Sequence, residues 1–385
     1  MRFAVDLAQG SINKQGEELC GDNVEIVRRE KEIMAVLSDG LGSGVKAGIL
    51  ATMTVKMATK LLSRGLPLEE TVETINRTLP ICKVRGLAYA TLNVLYLDED
   101  NQGRLIQDDA PPAILLNSAK RKARILEGTK SIIGGKEMTE SRFELNEGDT
   151  IIIVSDGVPH AGVGAVLDLG WGMEGLLHYV RKKMPSITEP EEWVQEILDI
   201  TNILYAEEPG DDATVFAIRA RKPRHLMLLS GPPKEPEQDQ EVCQALKDFA
   251  GRKIICGGAT GNMVARHWQC EIETELVYSD PSVPPIAKMA GANLVTEGIL
   301  TINKAIERLR QVLGGENLDS KKDGATLLAR ELLQSEEISL HIGTAKNPAH
   351  RSLAPAITYP DRMQAFGELV HLLERLGKKV EITWY

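Results

Sequence analysis

Two apolar runs, at 33–37 and 151–154, are too short for helices, and each breaks off in the same tripeptide: Ser38-Asp39-Gly40 and Ser155-Asp156-Gly157. Four or five aliphatic residues in a row, bounded by turn formers, read as a strand buried on both faces. Each such strand delivers a carboxylate at its end. The pattern recurs in mirror order: Gly21-Asp22 precedes the apolar stretch 24–27, and Asp211-Asp212 precedes 213–219. Four strand ends therefore carry aspartates, and any fold for this chain has to place them.

The surrounding sequence shows what kind of fold that is. Up to about residue 220, strand-like runs at 2–7, 22–28, 32–38, 88–97, 103–108, 112–117, 122–126, 149–155 and 213–219 are bounded by Gly, Asp, Asn and Pro. Helical stretches come in pairs: 43–64 with one opened by Pro67, then 171–184 with 190–206. Clustered strands with helices set apart suggest a layered α+β domain over residues 1–222. The basic and Pro-rich segment 219–241 marks a break. Beyond it, strands at 225–229, 253–256, 276–278, 337–342 and 379–383 alternate with helices at 239–250, 259–268, 297–313, 324–334 and 362–376. That alternation suggests a doubly wound, Rossmann-like α/β domain over 223–385.

Composition excludes several classes. With 385 residues, two domains are the expectation. The net charge of −10 argues against a general nucleic-acid binder. Five scattered cysteines without a CxxC pair point to reduced thiols, not to a zinc site or a disulfide framework. No basic-then-apolar leader and no apolar run approaching membrane length is read, so a cytoplasmic protein without membrane contact is expected.

If the four acidic strand ends converge, their carboxylates cannot all stay ionised without a cation. An all-oxygen ligand set without accompanying His or Cys suits Mg²⁺ or Mn²⁺. Gly40, lacking a side chain, lets its carbonyl or a bound water approach. Ser38 and Ser155 read as turn residues rather than nucleophiles.

The pieces "GD" at 21–22, "LSDGLGSGVKA" at 37–47, "YATLNVLYLD" at 89–98, "DDAPPAILL" at 108–116, "GDTIIIVSDGV" at 148–158 and "GDDATVFAI" at 210–218 occur in one order. In that order they resemble the SpoIIE-like bacterial branch of the PPM family, the metal-dependent serine/threonine phosphatases. The resemblance implies a four-layer αββα sandwich, two antiparallel sheets flanked by helices, with two Mn²⁺ or Mg²⁺ ions at one end. Carried over, Asp39 matches the aspartate bridging both metals, Gly40 the neighbour ligating through its carbonyl, Asp156 and Asp211 further ligands, and Asp22 the acidic position of the first motif. Asp212, beside Asp211, stays open as the alternative ligand. The catalytic residues are then Asp39 and Asp22, positioning a metal-activated water. The resemblance also implies a phosphorylated bacterial regulatory protein as substrate and partner. A homodimer stays open. Leu41 stands where animal-type members have a histidine, so the general acid is unassigned, with His160 as a candidate and Arg85 as a candidate phosphate clamp. The helical pair that follows Gly42-Ser43-Gly44 is linked in the resembled enzymes to control of the metal site. The alternative whole-protein reading is a catalytically silent signalling scaffold of the same fold.

In the second half, Gly257, Gly258, Thr260 and Asn262 form a glycine-rich turn between strand and helix, a setting that offers backbone N–H groups to an anion. Its spacing matches neither GxGxxG nor GxxxxGK[ST]. Thr344 and Asn347 lie on a second post-strand loop. All six are candidate lining residues for a small anionic ligand of a regulatory domain.

Overall fold

The computed structural model describes residues 4–29, 32–78, 90–164, 166–274, 282–316, 318, 322–345 and 362–385. The sequence expectations at residues 88–89 and 276–278, Arg85 and Asn347 lie outside them. The chain divides into two compact units, Met1–Lys222 and Pro223–Tyr385.

In the first unit, one sheet among the described residues has the order β1-β11-β10-β6-β7, formed by Ala4–Ile12 (β1), Ala213–Arg221 (β11), Thr150–Val154 (β10), Ile114–Asn117 (β6) and Lys122–Ile125 (β7). The other has the order β2-β3-β4-β5-β9-β8: Asp22–Arg28 (β2), Glu32–Asp39 (β3), Leu92–Asp98 (β4), Gln102–Asp108 (β5), Lys136–Glu144 (β9) and Thr129–Ile133 (β8). Neighbouring strands in both run antiparallel.

The continuous apolar runs now have a physical reason. Successive side chains of a strand point to opposite faces. From β10, Ile151 and Ile153 enter a core shared with Ile33, Ala35 and Leu37 of β3. The alternate residues Ile152 and Val154 pack outward against Gly172–Lys183 (α3) and Pro190–Leu204 (α4). On β3, Met34 and Val36 do the same against Gly44–Ser63 (α1) and Leu68–Thr78 (α2). Each strand thus lies between two apolar layers, and alternation disappears from its sequence. Helix α4 opens with Pro190 and a reciprocal Glu189–Glu192 capping box, and presents Trp193, Val194, Ile197 and Leu198 to the sheet.

The β8–β9 hairpin escapes the sequence reading. Exposed Lys, Glu and Thr interspersed along both strands mask the buried Ile133, Met138 and Phe143. The turn signal that could have exposed it is Gly134-Gly135, both at positive φ.

The second unit holds a mixed sheet in the order β14-β15-β16-β13-β12-β17-β18 among the described residues. Its parallel strands are His225–Ser230 (β12), Arg252–Cys256 (β13), Leu294–Thr296 (β16), Glu337–Ile342 (β17) and Lys379–Trp384 (β18). Ile272–Thr274 (β14) and Ala287–Met289 (β15) extend it antiparallel. These three-residue strands, like β16, are too short to carry a period and were not expected. Asp239–Asp248 (α5) and Gly258–Trp268 (α6) cover one face, while Ile299–Leu313 (α7), Gly324–Gln334 (α8) and Arg362–Arg375 (α9) cover the other.

Candidate functional site

The β2–β3 ladder places Asp22 directly opposite Asp39, so the first two acidic turns meet by strand register alone. Close backbone approach brings in the others. A Cβ on Gly157 would stand 2.0 Å from the Asp212 carbonyl oxygen, and one on Gly21 would stand 2.8 Å from the Asp212 carboxylate. The segments 21–22, 156–157 and 211–212 are therefore packed against one another, and glycine is what permits it. Gly40 has a different neighbour: a Cβ there would lie 2.1 Å from the Ala47 carbonyl oxygen, so its role here is to let α1 pack against the strand end.

Thr91 fixes the end of β3. Its hydroxyl oxygen accepts from the Asp39 amide at 3.0 Å, its own amide donates to the Asp39 carbonyl at 2.8 Å, and the Ser38 hydroxyl donates to the Thr91 carbonyl at 2.5 Å. Ser155 accepts from the Thr214 amide at 2.8 Å. Both serines before Asp-Gly are thus engaged by backbone; Ser155 follows β10 as a turn residue, whereas Ser38 lies within β3, paired with Asn23. Tyr205, which no sequence signal singled out, donates from its hydroxyl to the Gly157 carbonyl at 2.8 Å and is buried.

The carboxylates differ sharply in how they are satisfied. Among buried aspartates elsewhere in this unit, Asp149 accepts from the Ser118 amide at 2.8 Å, the Asn146 amide at 3.1 Å and the Asn117 amide group at 3.2 Å. Asp108 pairs with Lys136. By contrast, both oxygens of Asp22 and Oδ2 of Asp212 are buried with no hydrogen-bond partner. Asp212 Oδ1 accepts from the Lys14 amide at 3.0 Å, and Asp211 accepts from the Asp212 amide at 3.0 Å. A buried carboxylate oxygen left unpaired is expensive, and such orphans call for a cation or a strong donor.

Electrostatics agrees with this picture. Burial raises the Asp22 carboxyl to about 6, with Asp212 adding repulsion; the Ser155 and Thr214 hydroxyls lie near enough to temper the rise, without reaching hydrogen-bond geometry. Burial, then the charges of Asp22, Asp156 and Asp211, push Asp39 far above the carboxylate range. Asp211 is raised by burial and by Asp156. Tyr205 is raised by burial and by Asp211 and Asp156. Repulsion among these groups requires that they share one neighbourhood.

The test of fit to a hard divalent ion therefore has two sides. The donor set is right: buried carboxylate oxygens of Asp22 and Asp212 without a hydrogen-bond partner. Yet among the described residues no three His, Cys, Asp or Glu side chains already enclose a common metal position. The carboxylates converge without closing into a cage.

His160 is exposed, with Nδ1 3.8 Å from the Asp156 carboxylate. Cys20 lies beside the cluster as a thiol, raised to about 11 by burial and by Asp22, which rules it out as a ready nucleophile.

Residues 29–221, half of the chain, match the family model of Stage II sporulation protein E. The chain belongs to the SpoIIE family. A curated relative, Stage II sporulation protein E of Bacillus subtilis (strain 168), is 23% identical over 232 residues, covering 56% of this chain and 26% of that protein. The chain thus matches about a quarter of that relative's length. Among solved structures, the PP2C phosphatase domain of Bacillus subtilis SpoIIE with a fragment of its regulatory domain aligns at 20% identity and a TM-score of 0.48, covering 57% of this chain and 64% of that one. The RsbU and RsbW domains of a Mycobacterium tuberculosis protein align at 20% identity and 0.47, covering 63% and 67%. RsbX in complex with magnesium aligns at 20% and 0.41, covering 56% and 95%. The family match covers most of the first unit. The family match ends at residue 221, so the second unit lies outside it.

In that second unit, the glycine-rich turn falls at the carboxyl end of β13. Thr260 is buried, and its hydroxyl accepts from the Gly231 amide at 2.8 Å and reaches the Cys256 carbonyl at 3.3 Å, so it serves the turn rather than a pocket. Gly257 holds a positive φ, Gly258 begins α6, and Asn262 is exposed one turn on. The Thr344 hydroxyl donates to the Tyr385 carbonyl at 2.7 Å. No helix among the described residues is long and apolar enough to cross a membrane.

Proposed function

We propose that the SpoIIE-family unit is a divalent-metal-dependent protein phosphatase that hydrolyses phosphoserine or phosphothreonine in a regulatory phosphoprotein. The observation that carries this reading is the trio of buried, unpartnered carboxylate oxygens on Asp22 and Asp212, set beside Asp39. Asp22, Asp39, Asp156, Asp211 and Asp212, with the Gly40 carbonyl, would hold two Mg²⁺ or Mn²⁺ ions. Bound there, such ions supply a water of lowered pKa and neutralise phosphate charge.

The chain's own residues do the rest. Thr91 fixes the backbone on both sides of Asp39, and Tyr205 ties the 156–157 turn to helix α4's end. The ladder between β2 and β3 holds Asp22 and Asp39 in register. His160, exposed beside Asp156, is placed to pass a proton between the site and solvent.

A second reading has one observation in its favour. The absence of a preformed three-residue cage among the described residues supports a catalytically silent scaffold. For the second unit, we propose a Rossmann-like regulatory domain with an anionic ligand at the carboxyl edge of its parallel strands, near Gly257, Gly258 and Asn262. A cytoplasmic setting fits both units.

The deciding experiment is hydrolysis of p-nitrophenyl phosphate and of a phosphoserine peptide with added Mn²⁺. EDTA should abolish turnover, and Asp39→Asn should remove it while unfolding stays cooperative. A wild type inert across metals and substrates supports the scaffold reading instead.

A further inference from the structure

Strand β1 ends at Ile12 and β2 begins at Asp22, and the loop between them passes beside the acidic cluster. Its first half is a tight turn. The Glu17 amide donates to the Lys14 carbonyl at 3.0 Å, and Gly16 takes the positive φ that the third position of a type II turn requires. Two backbone bonds tie this turn to the 209–212 segment. The Lys14 amide donates to Asp212 Oδ1 at 3.0 Å, and the Gln15 amide donates to the Pro209 carbonyl at 2.8 Å. Lys14 therefore rises from backbone that is fixed against a candidate metal ligand.

Other lysines of this unit have carboxylate partners: Lys56 pairs with Glu25 at 2.9 Å, Lys183 with Glu196 at 2.7 Å, and Lys136 with Asp108. Lys14 is half-buried and has no ion-pair partner among the described residues. Glu17, the acid of the same turn, is directed to α1 instead. Its carboxylate accepts from the Ser43 hydroxyl at 3.2 Å, and a Cβ on Gly44 would stand 2.1 Å from its Oε2. What the Lys14 charge reaches is the cluster. Burial and Asp156 raise the Asp211 carboxyl, and Lys14 opposes them; it is the single positive charge among those that weigh most on Asp22, Asp39 and Asp211. Charge balance gives this ammonium a task. With two divalent ions in place, the five carboxylates and a dianionic phosphate monoester are still incompletely neutralised. A compact ammonium on a flexible stem, with three donors and no carboxylate to occupy them, suits the remaining phosphoryl charge.

We propose that Lys14 is a substrate-binding residue of this site, donating from its ammonium to a phosphoryl oxygen of the bound phosphomonoester. The proposal rests on the phosphatase reading above and adds what that reading lacks, a protein group that grips the phosphate directly.

The test uses the full chain with Lys14→Met and Lys14→Arg. Because the tie to Asp212 is made by the backbone amide, both variants keep it. Thermal unfolding is titrated first with Mn²⁺ alone, then with inorganic phosphate at saturating Mn²⁺, and kcat and KM are measured on p-nitrophenyl phosphate. In Lys14→Met, Mn²⁺ should bind no more weakly than in the wild type. Phosphate should bind about tenfold more weakly, as expected for the loss of one charge-assisted hydrogen bond, and KM should rise with it. Lys14→Arg should recover most of the phosphate affinity. A methionine variant that binds phosphate as tightly as the wild type overturns the proposal. So does one whose Mn²⁺ affinity falls by the same factor as its phosphate affinity, which would make Lys14 a support for the carboxylates. A wild type that binds Mn²⁺ but neither binds phosphate nor hydrolyses the ester instead defeats the phosphatase reading, and this proposal falls with it.

Discussion

Asp22 faces Asp39 across the β2–β3 ladder, and neither oxygen of Asp22 finds a hydrogen-bond partner. Two aspartates set against each other in a desolvated strand end hold protons more tightly than they do in the unfolded chain. This relationship makes stability depend on pH in a direction opposite to that of an ion-paired carboxylate.

When the folded-state pKa lies above the unfolded one, the folded state binds the extra proton, and stability falls as pH rises through the interval. For Asp22 the interval runs from 3.8 to about 6, and Asp39 extends it upward. In EDTA, Asp22→Asn should match the wild type near about pH 4 and exceed it by on the order of 2–3 kcal/mol near about pH 8, at about 1.4 kcal/mol per unit. Urea unfolding at the two pH values measures this. Parallel pH profiles for the two proteins would refute it.

Divalent metal should reverse the penalty. At metal concentrations about 100-fold above Kd, binding to the folded state alone adds about 2.7 kcal/mol. Thermal unfolding of the wild type should shift upward with Mn²⁺, and Asp39→Asn should show little or no shift.

Gly157→Ala sets a Cβ against the Asp212 carbonyl oxygen, where the space is only 2.0 Å. Overpacking of this kind costs about 1–3 kcal/mol. Because it separates the 156–157 and 211–212 segments, turnover should fall further than stability does, as read from kcat at a temperature where the variant is fully folded.

Thr91→Val removes the acceptor for the Asp39 amide. An orphaned N–H there costs about 1–3 kcal/mol. Thr91→Ser keeps the hydroxyl and should restore both stability and the metal concentration giving half-maximal rate. If the serine variant fails to rescue that concentration while folding normally, Thr91 serves packing alone.

Much of this site was legible from sequence because each acidic turn is local. An apolar run, a turn and a glycine lie within a few residues, and strands covered on both faces keep every position aliphatic, as β3 and β10 do. What joins the turns was not legible. The Thr91–Asp39 and Tyr205–Gly157 hydrogen bonds connect residues 52 and 48 positions apart, which no local pattern encodes. The reason for Gly40 was likewise hidden, since it depends on where α1 returns. The β8–β9 hairpin was lost because exposed charged and polar residues interrupt its few buried positions, and β14 to β16 because three residues carry no period. The acidic cluster could be anticipated, but its unpaired oxygens could not.

The central claim is that these carboxylates gather divalent cations, and anomalous diffraction from a crystal soaked in Mn²⁺ tests it most directly. The account predicts manganese peaks within bonding distance of Asp39 and of at least one among Asp22, Asp156, Asp211 and Asp212. Manganese found only elsewhere, or none at these side chains under conditions where the protein is folded, would contradict it.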